Sequence, residues 1–417
     1  MKVHLYGNVL NNSYNLTLFL RSKGINAEMF LDNSSPHSQD YPWWEDTNLS
    51  KDTLPYWIHY YPIKPNFIFP QEKFRQFIDH FSKCDVALVC GYGPIIAQKA
   101  KVPFFFYSYG ADLNITAWGE YFISALRNIL HFKKPTALRA LLYASYLQKR
   151  AIKKADKIGI AMGYQVNPYV VPLGVIDKMV KIRLAWDIDK YNSSVDPSLI
   201  RKYEKYEVVY FMAARHSWKS VWNDMKGNDK FISAFGKFVN EHQPNVLLIL
   251  VEKGNDLNES KKLINDLGIS SNVEWVREMD KDGIRAYNSL PNVVLVDQFW
   301  HNQWYRRYPI DRQKPRIGFG SGSIEALSAG KPLITVFFDE DFYDGVHPPI
   351  LSAFTEDEIY RRLVESVELG KEGREELGAR GREFVIKYHG WQATIDMYIS
   401  VLKEIHANRK RNQSSLF

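Results

Sequence analysis

Residues 317–332, IGFGSGSIEALSAGKP, carry the residue types best suited to gripping an anion. Gly318, Gly320 and Gly322 alternate with Ser321 and Ser323 ahead of a lone acid, Glu325. A loop of this kind lets backbone N–H groups approach a phosphate closely. A helix that starts at its end aims its positive pole at the same point. Glu325 then falls one to two turns into that helix, where it can accept hydrogen bonds from sugar hydroxyls. Lys331-Pro332 stops the helix, and Leu333 to Phe338 is an apolar run with the character of a buried parallel strand. A tight turn with no ligand is the competing reading of the loop, so its neighbours decide.

Open α/β sheets hold ligands at the carboxyl ends of their strands. After the apolar run Val208 to Met212 come Arg215, His216, Trp218 and Lys219, then Lys226-Gly227. After Val246 to Val251 comes Glu252-Lys253-Gly254, and after Val293 to Val296 comes Asp297-Gln298. Several cations, a Gly/Ser loop and one acid on a single edge suit a nucleoside diphosphate, with cations on the phosphates and the acid on the ribose. Taken singly, each residue reads equally well as a solvated ion pair or a helix start. Asp339-Glu340-Asp341 has metal-ligand chemistry on paper, but an acidic turn after a strand is the preferred reading.

The elements that must position these residues alternate along the chain. Lys2 to Tyr6, Ala27 to Leu31, Asp85 to Cys90, Val102 to Tyr107, Ile158 to Ala161 and Tyr169 to Pro172 read as strands, with helical spacing over Ser13 to Ser22 and Phe74 to Ser82. Composition changes between Asp187 and Glu204, and the alternation then resumes. This is the pattern of α/β architecture with two doubly wound, Rossmann-like domains facing a central cleft. The expected division is residues 1–190 and 191–382, with a helix over 383–417 crossing back to the first domain. A length of 417 residues fits two cores of ~200 residues. Cys84 and Cys90 are the only cysteines and flank a strand, which favours a reducing, cytoplasmic setting over a disulfide framework. MKVHLYGN reads as a first strand rather than a signal peptide, and no apolar window approaches the ~18 residues of a membrane span. The net charge of +7 is spread out with no recognition motif, so no nucleic-acid partner is expected.

The second half resembles the donor-binding domain of family 4 and related glycosyltransferases of the GT-B fold, through ARHSWKSVWNDMKGNDKFISAF, LILVEKGND, LGISSNVEWV, VVLVDQF and GFGSGSIEALSAGKPLI. YHGWQATIDMYISVL is similar to that family's closing helix. The first half matches more loosely, through KVHLYGN, LRSKGINAEMFL, YGADL, KKADKIG and VVPLGV. The resemblance implies transfer of a sugar from a nucleotide-diphosphate donor to a glycan or lipid-linked acceptor, in surface polysaccharide or glycoconjugate synthesis. It implies retention of configuration, with no cofactor and no metal. It assigns Arg215 and Lys226 to the diphosphate, Glu325 to the ribose, and Gly320, Ser321 and Gly322 to the loop beneath, with Ser323, Lys253, His216 and Gln298 beside the donor. Asp112 matches an acid facing the acceptor, with Gly7, Asn8, Tyr109 and Glu120 on the same side. Asp112 or Glu120 would be the base if the reaction inverted.

Two positions depart from the family pattern. Ile317 replaces the earlier glutamate of a pair that ends in Glu325, and Tyr109 replaces a histidine. The stretch WHNQWYRRYPIDRQKPR, within 299–316, lengthens the chain before the Gly/Ser loop. Residues 123–157 alternate Leu and Tyr with Lys and Arg, which suits either a membrane-surface helix or a helix pair with a solvated basic face. A sugar-nucleotide epimerase of the same shape and a catalytically silent nucleotide-sugar or glycan-binding protein remain as alternatives.

Overall fold

A computed structural model describes residues 1–35, 38–65, 67, 71–114, 116–117, 135–161, 166–191, 196–219, 226–299 and 318–414. The chain divides into two compact units, Met1–Trp186 with Trp391–Phe417, and Asp187–Gly390. Each contains a six-stranded, fully parallel sheet, as an α/β chain of alternating strands and helices should form.

The first sheet comprises β1 (Lys2–Tyr6), β2 (Asn26–Leu31), β3 (Ile58–Tyr60), β4 (Val86–Val89), β5 (Phe104–Ser108) and β6 (Lys157–Ile160), in the order β3-β2-β1-β4-β5-β6. The second comprises β7 (Val208–Met212), β8 (Val246–Glu252), β9 (Val273–Arg277), β10 (Val293–Val296), β11 (Leu333–Thr335) and β12 (Leu351–Ser352), in the order β12-β11-β10-β7-β8-β9. In both sheets the chain starts at a central strand, winds to one edge and returns to the other. The carboxyl ends of the two innermost strands on either side of that reversal are where such sheets hold ligands.

Helices of eight or more residues are numbered α1 (Asn12–Ser22), α2 (Glu72–Phe81), α3 (Gly93–Ala100) and α4 (Pro135–Ile152) in the first unit. The second unit adds α5 (Asn228–His242), α6 (Leu257–Asp266), α7 (Lys281–Asn288), α8 (Ser321–Ser328), α9 (Glu356–Glu368) and α10 (Gly370–His389). The chain then returns to the first unit as α11 (Trp391–Ser414).

α11 packs on α1 and against β4 and β5, with Phe19 stacked on Trp391 at 5.1 Å between ring centroids. The second unit's core runs through Tyr210, Phe231, Phe235 and Leu248, all fully buried. Its central strands β7, β8 and β10 are buried nearly from end to end, which is why they read as unbroken apolar runs.

The break between units falls at Trp186/Asp187, because Ile188 and Tyr191 are buried in the second unit and Asp189 lies 3.8 Å from Arg382. The return break falls at Gly390, since α10 continues through His389, whose ring is hydrogen-bonded to buried Tyr343. Tyr169 to Pro172, expected as a strand, is helical: Val166–Val170 and Val171–Leu173 form single helical turns ended by Gly174 at φ +67°. Pro168 and Pro172 lack the N–H that a central strand would need. Strands β3 and β12 were not anticipated; they are three and two residues long, too short for periodicity to register. Among the described residues, no helix is long and apolar enough to cross a membrane.

Candidate functional site

β7 ends at Met212, and the chain beyond it is stitched to the loop after β8. The His216 amide donates to the Lys253 carbonyl at 2.7 Å, and Asp256 N donates to the His216 carbonyl at 3.1 Å. Gly254, at φ +119°, makes this approach possible: a Cβ there would lie 2.3 Å from the His216 oxygen. Asp256 Oδ2 accepts the backbone amides of Trp218 at 2.7 Å and Lys219 at 2.9 Å, so a carboxylate of the chain itself fills that anion-binding turn.

His216 lies in the core rather than at the sheet's edge. It is fully buried, with Nδ1 2.8 Å from Ser260 Oγ and its ring 5.1 Å from that of Trp275. Burial pushes its pKa down to about 4, so it is neutral at pH 7. Its Nε2 has no hydrogen-bond partner. The sequence flagged His216 as a donor contact; the structure makes it a pin that fixes Arg215 before it and Lys219 after it. Arg215 is half-buried, and Lys253 extends to an exposed ion pair with Glu278 at 2.6 Å.

Lys226 joins two loops. Its amide donates to the Ser217 carbonyl at 2.6 Å, and its own carbonyl accepts from Phe299 N at 2.9 Å. Its ammonium donates to Gln298 Oε1 at 2.6 Å, which makes Lys226 and Gln298 one polar unit after β7 and β10. Gly227 at φ +69° then turns the chain into α5. Gln298 is itself buried, and its carbonyl accepts Thr335 Oγ1 and Val336 N, which anchors it to the strand beyond.

The Gly/Ser loop reaches this unit at the start of α8. Gly320 is the cap residue, and a Cβ there would stand 3.2 Å from Gln298 Nε2. Gly322 lies so close to Asp297 that a Cβ would stand 3.0 Å from its Oδ1, and Ser323 donates its hydroxyl to Asp297 Oδ2 at 2.5 Å. The positive pole of α8 therefore has an internal anion, Asp297, along one side. Ser321 is half-buried and Gly322 exposed, which leaves that turn of the loop open to solvent.

Glu325 is buried one turn on and forms an ion pair with the Lys281 ammonium, from the first residue of α7. Lys281 is a site residue the sequence reading missed. It follows the N-cap Asp280, whose side chain accepts Gly283 N at 2.9 Å, and looks like ordinary helix-start chemistry. Asp297 appeared only as a neighbour of Gln298, yet it contacts the loop directly, through the Ser323 hydroxyl and beside Gly322. In the acidic turn, Asp339 is buried and Glu340 pairs with His347 at 2.9 Å.

The first-unit residues meet in a different arrangement. Asp112 is buried, and its Oδ1 accepts Ser108 Oγ at 2.6 Å and Gly110 N at 3.1 Å. Its Oδ2 accepts Gly91 N at 3.2 Å and Tyr109 N at 3.4 Å. Burial raises its pKa against the pull of these four donors. Gly7, at φ +83°, packs on Cys90: a Cβ would lie 2.7 Å from both its carbonyl oxygen and its sulfur. Asn8 is buried and spent on structure, donating to Asn11 Oδ1 and the Asp40 carbonyl and accepting Tyr14 N at the start of α1. Tyr109 lies with its ring 5.1 Å from that of Tyr107. Glu120, Ile317, residues 123–134 and the 300–316 part of the insertion lie outside the described residues.

Residues 220–383 match the family described as Glycosyl transferases group 1. An uncharacterized glycosyltransferase of Methanocaldococcus jannaschii is 21% identical over 268 residues, which span 63% of this chain and 62% of that protein. Among solved structures, Anabaena HepE in complex with UDP and glucose superposes with a TM-score of 0.64 at 15% identity, covering 97% of this chain and 100% of that one. Sucrose-phosphate synthase from Thermosynechococcus elongatus gives a TM-score of 0.64 at 13% identity over 98% of this chain and 100% of its own. At these identities the superpositions establish the fold, and the family match falls on the unit that gathers Lys226, Gln298, Asp297 and Glu325. Residues 220–383, within the second unit, are thus similar to group 1 glycosyltransferases, on a chain of GT-B fold.

Proposed function

We propose that this chain transfers a sugar from a nucleoside diphosphate donor to a glycan or lipid-linked acceptor. The observation that carries the reading is the Lys226–Gln298 unit beside the Gly320–Ser323 loop, inside a group 1 domain. A departing diphosphate gains negative charge as the glycosidic bond breaks. Lys226 and Arg215, with the amides at the start of α8, would offset it, and the reading calls for no metal. Glu325 would take the ribose hydroxyls while Lys281 orients its carboxylate. Retention follows the resemblance. The buried carboxylate of Asp112 accepts four hydrogen bonds from neighbouring protein groups, which supports a loop-shaping role over that of an inverting base.

For the acceptor, Leu142, Tyr143 and Tyr146 are exposed on α4, upstream of Lys149 and Arg150. This supports a peripheral contact with the cytoplasmic face of a membrane and, with it, a lipid-linked acceptor in surface-glycan synthesis.

The test is nucleotide release from a panel of UDP-, GDP-, ADP- and dTDP-sugars. One donor should give turnover, and Lys226→Ala and Glu325→Ala should each lower kcat/KM about 100-fold or more. Unchanged turnover in both variants would overturn the site. Conversion of the donor with no acceptor consumed would replace transfer by epimerisation.

A further inference from the structure

The first unit holds a second polar cluster, on the face of its sheet covered by α2. His4 on β1 and Glu28 on β2 are paired in register, and His59 on β3 is paired with Phe30, two residues along from Glu28. His4, Glu28 and His59 therefore share one face, and His80 reaches them from α2. We propose that His4, His59, His80 and Glu28 form a binding site for a single Zn2+-class cation. It is independent of the transfer chemistry.

Hydrogen-bond bookkeeping at His4 carries the argument. His4 Nδ1 lies 2.9 Å from the Phe81 carbonyl, which can only accept, so Nδ1 holds the proton and Nε2 holds a lone pair. That Nε2 is buried without a hydrogen-bond partner, 3.5 Å from Glu28 Oε2. Two acceptors thus face each other in a side chain with no solvent exposure. A cation between the two atoms relieves the conflict.

The spacing fits. Arms of about 2.1 Å at tetrahedral angles put neighbouring donor atoms about 3.4 Å apart. His4 Nε2 and His59 Nε2 lie 3.5 and 2.9 Å from the same Glu28 oxygen. Donor atoms of Glu28, His59 and His80 all lie within 4.8 Å of one another, the one such grouping among the described residues; His4 stands outside it and becomes the fourth ligand by closing in from its place beside the Glu28 oxygen.

The surrounding contacts are those that orient metal ligands. The Phe81 carbonyl fixes the His4 tautomer, and Tyr61 Oη sits 2.8 Å from His80 Nδ1. Lys2 Nζ holds the other oxygen, Glu28 Oε1, at 2.8 Å, which turns Oε2 toward the histidines. Lys2 is also the charge that opposes a cation, and its partial exposure lets solvent screen it. When the cation binds, His59 gives up the N–H it directs at Glu28; that proton moves to its Nδ1 or to water, and Nε2 becomes a ligand. Three neutral imidazoles and one carboxylate are a borderline-soft, nitrogen-rich set, which selects Zn2+ or Co2+ over Mg2+ or Ca2+.

The experiment uses the full chain, stripped with a chelator, desalted and titrated with ZnSO4 or CoCl2. One Zn2+ should bind per chain, Co2+ should give the visible absorption of a tetrahedral site, and Zn2+ should raise the melting temperature. Glu28→Gln and His59→Gln, checked for folding by circular dichroism, should each weaken Zn2+ binding at least tenfold. His347→Gln, in the surface pair with Glu340 of the other unit, should leave it unchanged. If either core variant fails to fold, the partly buried His80→Gln replaces it. No stoichiometric uptake by the parent chain, or uptake unchanged in the folded cluster variants, would overturn the proposal.

Discussion

The two sheets share strand order around their reversal point, yet the ends of their strands are furnished differently. At this edge the second unit sets polar and charged side chains against one another: Lys226 on Gln298, Lys281 on Glu325, Ser323 on Asp297. After β1, β4 and β5 the first unit ties its polar groups to its own backbone. Asp112 accepts three amides and a hydroxyl, and Asn8 serves the start of α1. Side-chain pairs can exchange partners when a charged ligand arrives. A carboxylate wrapped in amides of its own loop cannot do so without unfolding that loop. The same topology thus makes one edge suited to binding charge and the other suited to holding shape.

The largest effect that sharpens this contrast is at Lys281. Lys281→Ala removes the ammonium from a carboxylate whose side chain is only 8% exposed. The expected loss is about 3 kcal/mol, measured as the shift of the second unit's denaturation midpoint. Lys281→Ala with Glu325→Gln should recover most of it, because no charge is then left buried. The comparison fails if the single variant is as stable as the parent chain, since Glu325 would then be held by its surroundings without Lys281.

A second test concerns acid, and it follows the second unit's own unfolding, because buried His4 gives the first unit a shift of the same sign. His216 has an ordinary pKa of 6.5 when unfolded and about 4 when folded. The unfolded chain therefore binds more protons between those values, and stability falls as pH is lowered from 6.5 towards 4. By linkage the loss approaches about 3 kcal/mol at the acid end and is absent above pH 6.5. Urea unfolding at pH 7 and pH 4.5 measures it. His216→Asn should reduce the pH dependence while lowering stability at pH 7, since the contact with Ser260 goes with the ring. An unaltered pH dependence in that variant would move the acid sensitivity elsewhere.

Much of the second unit was legible from its residues. Val208 to Met212, Val246 to Val251 and Val293 to Val296 are apolar because the strands are buried on both faces, so their carboxyl ends could be placed and the residues after them collected. The Gly/Ser stretch marked the start of α8 because Gly320 and Gly322 are glycines for a contact reason, their closeness to Gln298 and Asp297. Partners across space were not legible. Lys281 and Glu325 are 44 residues apart, and nothing in either local pattern indicates the other. The burial of His216 was not legible for a related reason: sequence gives the end of a strand but not the side on which the next side chain falls. In the first unit, His4, Glu28, His59 and His80 come from four separate elements, and β3 is too short to announce itself. Asn8 and Asp112 were recognised as loop residues, but whether a loop carboxylate faces a ligand or its own amides depends on backbone angles such as Gly110 at φ +129°.

The smallest expected effect asks whether the first unit's edge truly holds shape. Asp112→Asn keeps the size of the side chain and removes its charge. An amide oxygen can still accept two of the present donors, but the NH2 group then faces others among Ser108 Oγ and the amides of Gly91, Tyr109 and Gly110. Donor against donor in a buried loop costs about 1–2 kcal/mol, so the melting temperature of the first unit should fall by a few degrees. Transfer should weaken modestly and in step with the loosening of the loop, and lowering the assay temperature should restore most of it. A base would behave otherwise: the variant would melt like the parent, lose activity about 100-fold or more, and gain nothing from cooling. Temperature dependence of the residual activity therefore separates a carboxylate that shapes its loop from one that moves a proton, and only the first is consistent with two matching sheets whose strand ends do different work.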